Sequence, residues 1–296
     1  MGLHGNHWSR KVYQMLPVTT CADNGRLQCG NGRYPMWHNL WRIYDEQARE
    51  PGMQGLLQNK VAMVTGGGSG IGEATAMTFH RDGAKVAIID RNLEEAERVK
   101  QAIVADGGDA IALHANVAKD KEVATAIAAI VAKYGALHAA SNNAAFGGGF
   151  KGITEFSEKE WGLINDVTLK GVWLCMKHKL TAMEASGGGA IVNISSFAAV
   201  EPDASFPTSA AFRASLAAFT RLFAEEFAES NVRMNNILPG FVDSLPEKKA
   251  FRERIPMGRY GTVGEIAGTA AFLLSDEAKY ITGQNIRVDG GLTRSL

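Results

Sequence analysis

Short apolar runs rich in β-branched residues alternate with amphipathic stretches along most of the chain, from Gln58 onward. This alternation is typical of a parallel sheet covered by helices on both faces. The predicted strands are Val61–Thr65, Lys85–Asp90, Asp109–Ala115, Leu137–Asn142, Gly189–Ser195, Val232–Leu238 and Asn285–Val288. The predicted helices are Gly70–Arg81, Leu93–Ala105, Lys119–Tyr134, Glu158–Ala185, Thr208–Glu229 and Val263–Leu274. The predicted fold class is therefore α/β, with one doubly wound parallel sheet of about seven strands.

The first part of the chain lacks this alternation. Residues 1–54 hold three of the five tryptophans and two of the three cysteines, without a sustained period, so we interpret them as an irregular N-terminal extension of a single domain at 55–296. Trp37, Leu40 and Trp41 have helical spacing and favour a short docking helix. The alternative, a metal site, is disfavoured because the spacing matches no zinc pattern among its potential ligands, which are His4, His7, Cys21, Cys29 and His38.

Charge and composition exclude several functions. Lysine plus arginine and aspartate plus glutamate number 31 each, so no net field favours nucleic acid or an anionic membrane surface. No apolar run approaches the roughly 20 residues needed to cross a bilayer. Three cysteines without CxxC spacing suit a reducing compartment. We therefore expect a cytoplasmic protein with no metal, no nucleic-acid partner and no membrane partner.

A glycine-rich motif, Thr65-Gly-Gly-Gly-Ser-Gly-Ile-Gly72, ends the first predicted strand and begins the first predicted helix. Its glycines allow backbone N–H groups to approach a pyrophosphate, whose charge the helix N-terminus stabilises, as in Rossmann-like folds. The candidate cofactor-binding residues of this motif are Gly66, Ser69, Gly70, Ile71 and Gly72.

Asp90 ends the second predicted strand, 18 residues after Gly72. Its carboxylate suits the adenosine ribose hydroxyls and would repel a 2′-phosphate, which favours NAD over NADP. Arg91 keeps NADP open as the less favoured cofactor, because a guanidinium beside the ribose can pair with a phosphate.

Together with four further motifs, this pattern resembles the short-chain dehydrogenase/reductase family over nearly everything after Gln58. The further motifs are Asn142-Asn-Ala-Ala145, Ile191-Val-Asn-Ile-Ser-Ser196, Leu238-Pro-Gly240 and Ile281-Thr-Gly-Gln-Asn-Ile-Arg-Val-Asp-Gly-Gly291. The resemblance implies that Asn116 and Val117 flank the adenine. It also implies that Asn143 and Ala144 line the cofactor and that Pro239 and Gly240 lie beside the nicotinamide.

Members of the resembled family use an Asn, a Ser, a Tyr and a Lys, with the tyrosine phenol as proton donor. Ser196 fits the serine position. Ser209 stands at the tyrosine position, Arg213 at the lysine position and Thr168 at the asparagine position, although Asn165 lies one turn earlier and is an alternative for the last. These four residues are the candidate catalytic set, and Arg213 is also expected to bind the nicotinamide ribose.

The replacements weaken proton transfer more than cofactor binding. An aliphatic hydroxyl has a much higher pKa than a phenol, so proton transfer at Ser209 requires a bridging water or an acidic residue from another part of the site. Candidate acids on the loops after the fifth and sixth strands are Glu201, Asp203 and Asp243. Tyr134, Tyr260 and Tyr280 are expected to lie remote from the nicotinamide unless a loop or a neighbouring subunit delivers one of them. An apolar substrate is indicated by the phenylalanines expected at the mouth of the site, Phe197, Phe206, Phe212 and Phe241.

The sequence thus favours an NAD-dependent oxidoreductase that acts on an alcohol or carbonyl of a small apolar molecule. The first alternative is a catalytically silent homologue that binds NAD and has a structural or regulatory role. A second alternative is a non-redox enzyme similar to halohydrin dehalogenases, which also have an arginine at the lysine position but keep the tyrosine and lack the glycine motif. The resemblance also implies a homo-oligomer, a dimer or tetramer, formed through the two long helices and the C-terminal tail.

Overall fold

The computed structural model describes residues 55–149 and 151–295. Within them, seven strands form one parallel sheet: β1 Val61–Thr65, β2 Lys85–Asp90, β3 Ala110–His114, β4 Ala139–Asn142, β5 Gly189–Ile194, β6 Val232–Pro239 and β7 Asn285–Val288. The α-helices of the same residues are α1 Gly70–Arg81, α2 Leu93–Ala105, α3 Asp120–Tyr134, α4 Glu158–Asn165, α5 Gly171–Ala185, α6 Pro207–Glu226, α7 Lys249–Arg252 and α8 Val263–Leu274. The predicted α/β class is confirmed.

The strand order is β3-β2-β1-β4-β5-β6-β7, so the chain winds outward in both directions from the β1–β4 pair. Helices α1, α2 and α8 pack their apolar residues on one face of the sheet, and α3, α5 and α6 pack on the other. Thr65 pairs in register with Asn142, and Asn142 with Asn193, so the carboxyl ends of the central strands meet at one edge. This reversal point is where doubly wound sheets bind ligands.

The long helix predicted over Glu158–Ala185 keeps a helical backbone throughout but contains a turn with π-helical hydrogen bonding. Helix α4 ends at Asn165, a π-helical turn follows over Asp166–Lys170, and α5 then begins at Gly171. Thr168 is buried in that turn and hydrogen-bonds the backbone of Phe146 on the loop after β4. The predicted helical stretch is therefore confirmed at both ends, while the π-helical turn within it was not predicted.

The predicted docking helix at Trp37, Leu40 and Trp41, and the histidines and cysteines weighed as metal ligands, lie outside the described residues. Within 55–149 and 151–295, no helix combines the length and apolar character that a bilayer span requires. In the same part of the chain, no three His, Cys, Asp or Glu side chains gather as a metal site would require.

Candidate cofactor and active site

A cavity of about 980 Å³ opens at the carboxyl edge of the sheet, above the β1–β4 reversal. Most of the residues predicted for the site line this cavity. They are Gly66, Ser69, Gly70, Ile71, Asp90, Arg91, Asn116, Val117, Asn143, Ala144, Ser196, Ser209, Arg213, Pro239 and Gly240. Gly72 and Thr168, which were also predicted for the site, are buried and do not line this cavity. Asn165, the alternative to Thr168, lines a separate small cavity of about 200 Å³.

The glycine loop runs from the end of β1 into α1 with very close backbone packing. Gly66 has a φ of 63°, and a Cβ there would lie 2.9 Å from the Cα of Ala144. A Cβ on Gly72 would lie 2.0 Å from the carbonyl oxygen of Gly66. Only glycine therefore allows the first turn of α1 to sit against the loop, which leaves the helix N-terminus facing the cavity.

Asp90 is held at the end of β2 by two backbone donors. Its Oδ2 accepts a hydrogen bond from the N–H of Gly68 at 3.0 Å, and its Oδ1 accepts one from the N–H of Asn92 at 2.9 Å. These bonds fix the carboxylate against the glycine loop, while each oxygen keeps a second lone pair for a ligand. Arg91, the next residue, is exposed and also lines the cavity.

Arg98 on α2 holds the glycine loop through its backbone, a role that the sequence pattern did not predict. Its Nη2 donates to the carbonyl oxygen of Gly68 at 2.9 Å. The same guanidinium pairs with Glu73 and Glu95, and hydrogen bonds to these two carboxylates raise the pKa of Arg98. The only sequence signal was the i, i+3 spacing of Glu95 and Arg98, since Glu73 lies on a different helix.

Asn143 and Asn116 form hydrogen bonds that order the loops after β4 and β3, respectively. The Nδ2 of Asn143 donates to the carbonyl oxygen of Gly66 at 3.1 Å, and its backbone N–H donates to the Oγ1 of Thr65 at 3.1 Å. The Oδ1 of Asn116 accepts from the N–H of Ala118 at 3.0 Å. Both amides thus have structural partners, and the face of each that lines the cavity stays available.

The serines cluster where β5 ends. The Oγ of Ser196 accepts from the N–H of Ala198 at 3.2 Å, so its own proton remains available to a ligand. Ser195 was not predicted for the site, but it lines the cavity, is 6% exposed, and its Oγ has no hydrogen-bond partner among the described residues. Ser209 on the first turns of α6 is half-buried and lines the same region.

Arg213 reaches the cavity one helical turn after Ser209. The side chain is buried, and its Nη1 donates to the carbonyl oxygen of Ile194 at the end of β5. Burial lowers the pKa of Arg213 to about 10, so the guanidinium stays charged at neutral pH.

The candidate replacement acids are committed to structural contacts and do not line the cavity. Glu201 accepts from the N–H groups of Arg294 and Ser295, and these backbone bonds lower the pKa of its carboxyl. Asp203 pairs with Arg254 at 2.6 Å. Asp243 accepts from the N–H of Val263 at the start of α8.

Tyr260 lies in the cavity wall, in line with the exception that a loop could bring a tyrosine to the site. Its ring stacks on Phe241 with centroids 5.5 Å apart, and its hydroxyl accepts from the N–H of Lys248 at 3.1 Å. The loop after β6 brings it there, and no local sequence pattern indicates a contact of that kind.

Aromatic rings form the wall beside this tyrosine. Phe241 stacks on Phe251 with centroids 4.6 Å apart, and Phe197 and Phe206 pack against Phe241 at 5.4 and 5.9 Å. The expectation that Phe212 lines the mouth was wrong. Its ring points away from the cavity and packs against Trp161 of α4 at 4.9 Å.

A lysine is buried beneath the site. Lys179 of α5 is fully buried, and its Nζ donates to the Oδ1 of Asn142 at the end of β4. Burial lowers the pKa of Lys179 to about 8. From Asn142 a chain of amide hydrogen bonds continues across the sheet through Asn193 to Asn236.

Comparisons with known proteins agree with this geometry. The family model described as "Enoyl-(Acyl carrier protein) reductase" matches residues 66–293. The chain is 38% identical over 246 residues to cyclohexanol dehydrogenase of Acinetobacter sp. (strain SE19), which covers 81% of this chain and 98% of the relative. It is also 38% identical over 248 residues to 2,5-dichloro-2,5-cyclohexadiene-1,4-diol dehydrogenase of Sphingobium indicum, with 81% and 98% covered.

Solved structures show the same similarity. The 3-ketoacyl-(acyl-carrier-protein) reductase of Brucella melitensis, complexed with NADH, matches with a TM-score of 0.77 and 33% identity. The match covers 80% of this chain and 100% of that one. The fold, the cavity at the sheet edge and these relatives together show that the chain belongs to the short-chain dehydrogenase/reductase family.

Proposed function

We propose that the protein is an NAD-dependent oxidoreductase that interconverts an alcohol and a carbonyl on a small apolar substrate. The observation that carries the cofactor proposal is the Asp90 carboxylate, which two backbone N–H groups hold beside the glycine loop. A carboxylate in that position accepts hydrogen bonds from ribose hydroxyls and repels a 2′-phosphate. The NADH complex of the Brucella relative supports a nicotinamide dinucleotide in this cavity.

The cofactor proposal is tested by titrating the protein with NADH and NADPH and following nucleotide fluorescence. We expect NADH to bind at least tenfold more tightly than NADPH. Asp90→Asn should reduce that preference to about threefold or less, because the amide keeps the shape but loses the repelling charge. Glu97→Gln, on the exposed surface of α2 where it pairs with Lys100, is the matched control. A lack of NADH binding would contradict the proposal.

The residues present fit such a cofactor, since the loop at Gly66 and Gly72 has no room for side chains and presents backbone to the cavity. A bound NAD supplies the site that accepts or delivers hydride. In our proposal Ser196 donates a hydrogen bond from its free hydroxyl group to the substrate oxygen and so orients the substrate. Arg213 donates hydrogen bonds to the nicotinamide ribose. Ser209 positions a water in place of the phenol; in alcohol oxidation this water takes the hydroxyl proton and passes it to solvent, and in carbonyl reduction the proton moves in the opposite direction.

The aromatic wall supports an apolar, ring-shaped substrate. Stacked Phe241 and Phe251 offer flat faces at the mouth of the cavity. The names of the two relatives, which refer to cyclohexanol and to a cyclohexadiene diol, point to the same class of alicyclic alcohols. In a screen of cyclic and acyclic secondary alcohols with NAD, followed at the nicotinamide absorbance band, we expect higher rates with the cyclic alcohols than with the acyclic ones.

A second candidate function is a silent homologue that binds NAD without turnover. The specific observation in its favour is that position 209 carries a serine and that the candidate replacement acids do not line the cavity. Tight NADH binding with no turnover on any alcohol or ketone would favour it. In either case we propose that the protein is cytoplasmic and forms a homo-oligomer. Trp173 and Leu222, exposed on α5 and α6, support the oligomer. Sedimentation as a monomer at micromolar concentration would contradict the oligomer.

A further inference from the structure

Four asparagines stand side by side across the sheet, directly before the residues of β4 and β5 that line the cavity. This asparagine row pairs in register and consists of Asn142 of β4, Asn193 of β5, Asn236 of β6 and Asn285 of β7. The Nδ2 of each member donates to the Oδ1 of the next, at 2.7, 3.1 and 2.8 Å. The amides therefore all point the same way, and hydrogen bonds in such a chain strengthen one another.

Lys179 stands at the head of the asparagine row. It is fully buried in α5, and its Nζ donates to the Oδ1 of Asn142. An ammonium group has donors and no acceptor, so the amide of Asn142 must turn its oxygen to Lys179 and its nitrogen to Asn193. The same choice then passes from each amide to the next. The lysine thus selects one of the two directions in which the row could be bonded.

The row adjoins residues that we propose for cofactor binding. Asn143 follows the first member of the row, lines the cavity, and donates from its Nδ2 to the carbonyl oxygen of Gly66 in the glycine loop at 3.1 Å. Ile194 follows the second member, and its carbonyl oxygen accepts from Arg213. The direction of the row therefore bears on the strand ends that hold the glycine loop and Arg213.

Helix α6 is tied to the same row through Thr220. This threonine is fully buried, and its Oγ1 accepts from the Nδ2 of Asn193 at 2.9 Å and donates to the Oδ1 of Asn236 at 2.7 Å. Arg213 lies about two helical turns earlier, on the same face of α6. Since both bonds of Thr220 match the direction of the row, the row also fixes how α6 presents Arg213.

We propose that Lys179 is a positioning residue for the cofactor site, because its ammonium group holds the asparagine row in one direction and thereby orders the ends of β4 and β5 and the face of α6. This rests on the proposed function for the identity of the cofactor. Burying a lysine costs stability. Removal of the ammonium group should therefore stabilise the fold and at the same time loosen the site.

The titration of Lys179 gives this role a pH signature. Burial lowers its pKa to about 8, and a neutral amine can also accept a hydrogen bond, so above that pH it no longer dictates the direction of the row. The titratable group that faces it on α5 is Cys175, whose thiol has a pKa raised by burial. Strands β4 and β5 carry no titratable residue, and the residues that α3 buries are apolar. Charged groups on the elements around α5 have partners elsewhere: Asp120 of α3 with Lys177, Asp166 of the π-helical turn with Lys170, Arg213 of α6 with the carbonyl oxygen of Ile194, and Arg233 of β6 with that of Leu273.

The first test measures NADH affinity by nucleotide fluorescence at pH 7 and pH 9.5. We expect Lys179→Met to bind NADH about fivefold more weakly than the unaltered protein at pH 7, where the native lysine is charged. At pH 9.5 the native lysine has lost its proton, so the difference should fall below about twofold. Lys177→Met removes an exposed lysine of the same helix and should match the unaltered protein at both pH values.

The second test needs no cofactor and follows backbone hydrogen exchange at pH 7. The N–H of Asn143 donates to Thr65 at 3.1 Å, and that of Ser195 donates to Ile237 at 2.7 Å. In Lys179→Met both should exchange about fivefold faster although urea unfolding shows a more stable domain, whereas a merely structural role would move the two measurements together. Thr220→Val keeps the volume, breaks the row at α6 and should speed exchange at Ser195. It carries the test if Lys179→Met does not fold.

The positioning role is refuted if Lys179→Met binds NADH as tightly as the unaltered protein at pH 7, or if the ratio of the two affinities is the same at both pH values. Unchanged exchange at Asn143 and Ser195 also refutes it, and NADH binding by the unaltered protein would then leave the proposed function standing. If the unaltered protein does not bind NADH, the proposed function fails, and the exchange measurements alone decide the role of Lys179.

Discussion

In our proposal, the residue at position 209 limits how readily the site transfers a proton. Ser209 and Arg213 lie one turn apart on α6 and both line the cavity, which supports our proposal that they stand at the positions of the family's tyrosine and lysine. What has changed is the side-chain chemistry. A serine hydroxyl ionises far less readily than a phenol and stops short of where a tyrosine ring would reach.

Introducing the phenol should therefore speed turnover. We expect Ser209→Tyr combined with Arg213→Lys to raise kcat on a cyclic secondary alcohol by about 100-fold, the lower end of what a positioned acid contributes. The matched control is Ser209→Phe with Arg213→Lys, which supplies the ring without the hydroxyl and should give no gain. Initial rates at saturating NAD measure both. Equal rates in the two double variants would mean that residue 209 does not lie at the reacting oxygen.

At the scale of elements, the junction between β1 and α1 has the least tolerance for added atoms. A methyl group on Gly72 would overlap the carbonyl oxygen of Gly66, whereas one on Gly268, in the middle of α8, would meet nothing within 4 Å. Both are helical glycines, so they share the same intrinsic helix penalty and differ only in their surroundings.

Gly72→Ala should therefore destabilise the protein and weaken NADH binding at least tenfold, because the loop must move away from the helix N-terminus. Gly268→Ala should raise the free energy of unfolding by about 0.5–1 kcal/mol and leave NADH affinity unchanged. Urea unfolding and NADH fluorescence titration measure the two effects. Similar behaviour of both alanine variants would show that the close packing of loop and helix has no role.

For the molecule as a whole, the sheet could be predicted from sequence because strand and helix periods alternate so regularly from Val61 to Val288. The grouping of the residues at the carboxyl edge could also be predicted, because the ends of parallel strands meet at one edge of the sheet. The contacts that could not be predicted join distant segments. Tyr260 reaches the cavity on a loop. Lys179 is fully buried at a core position of α5, and the sequence shows only that a charged residue stands where an apolar one is expected.

Lys179 makes the stability of the whole domain depend on pH. Burial lowers its pKa to about 8 in the folded protein, against about 10.4 in an unfolded chain. Between these values the unfolded state binds more protons, so the free energy of unfolding rises as pH increases from about 8 to 10. Below pH 8 the lysine is protonated in both states, and folding carries the full cost of burying the charge.

Lys179→Met should remove that cost. We expect the free energy of unfolding at pH 7 to rise by about 2 kcal/mol, less than the full charge penalty because Asn142 loses a hydrogen-bond donor. The gain should shrink as pH rises above 8, since the native lysine then loses its proton. The control is Lys177→Met, because Lys177 is exposed and forms an ion pair with Asp120. This variant should show neither the gain in the free energy of unfolding at pH 7 nor its dependence on pH. Urea unfolding at pH 7 and pH 9.5 separates the outcomes, and a pH-independent difference between Lys179→Met and the unaltered protein would mean that Lys179 does not titrate in this range.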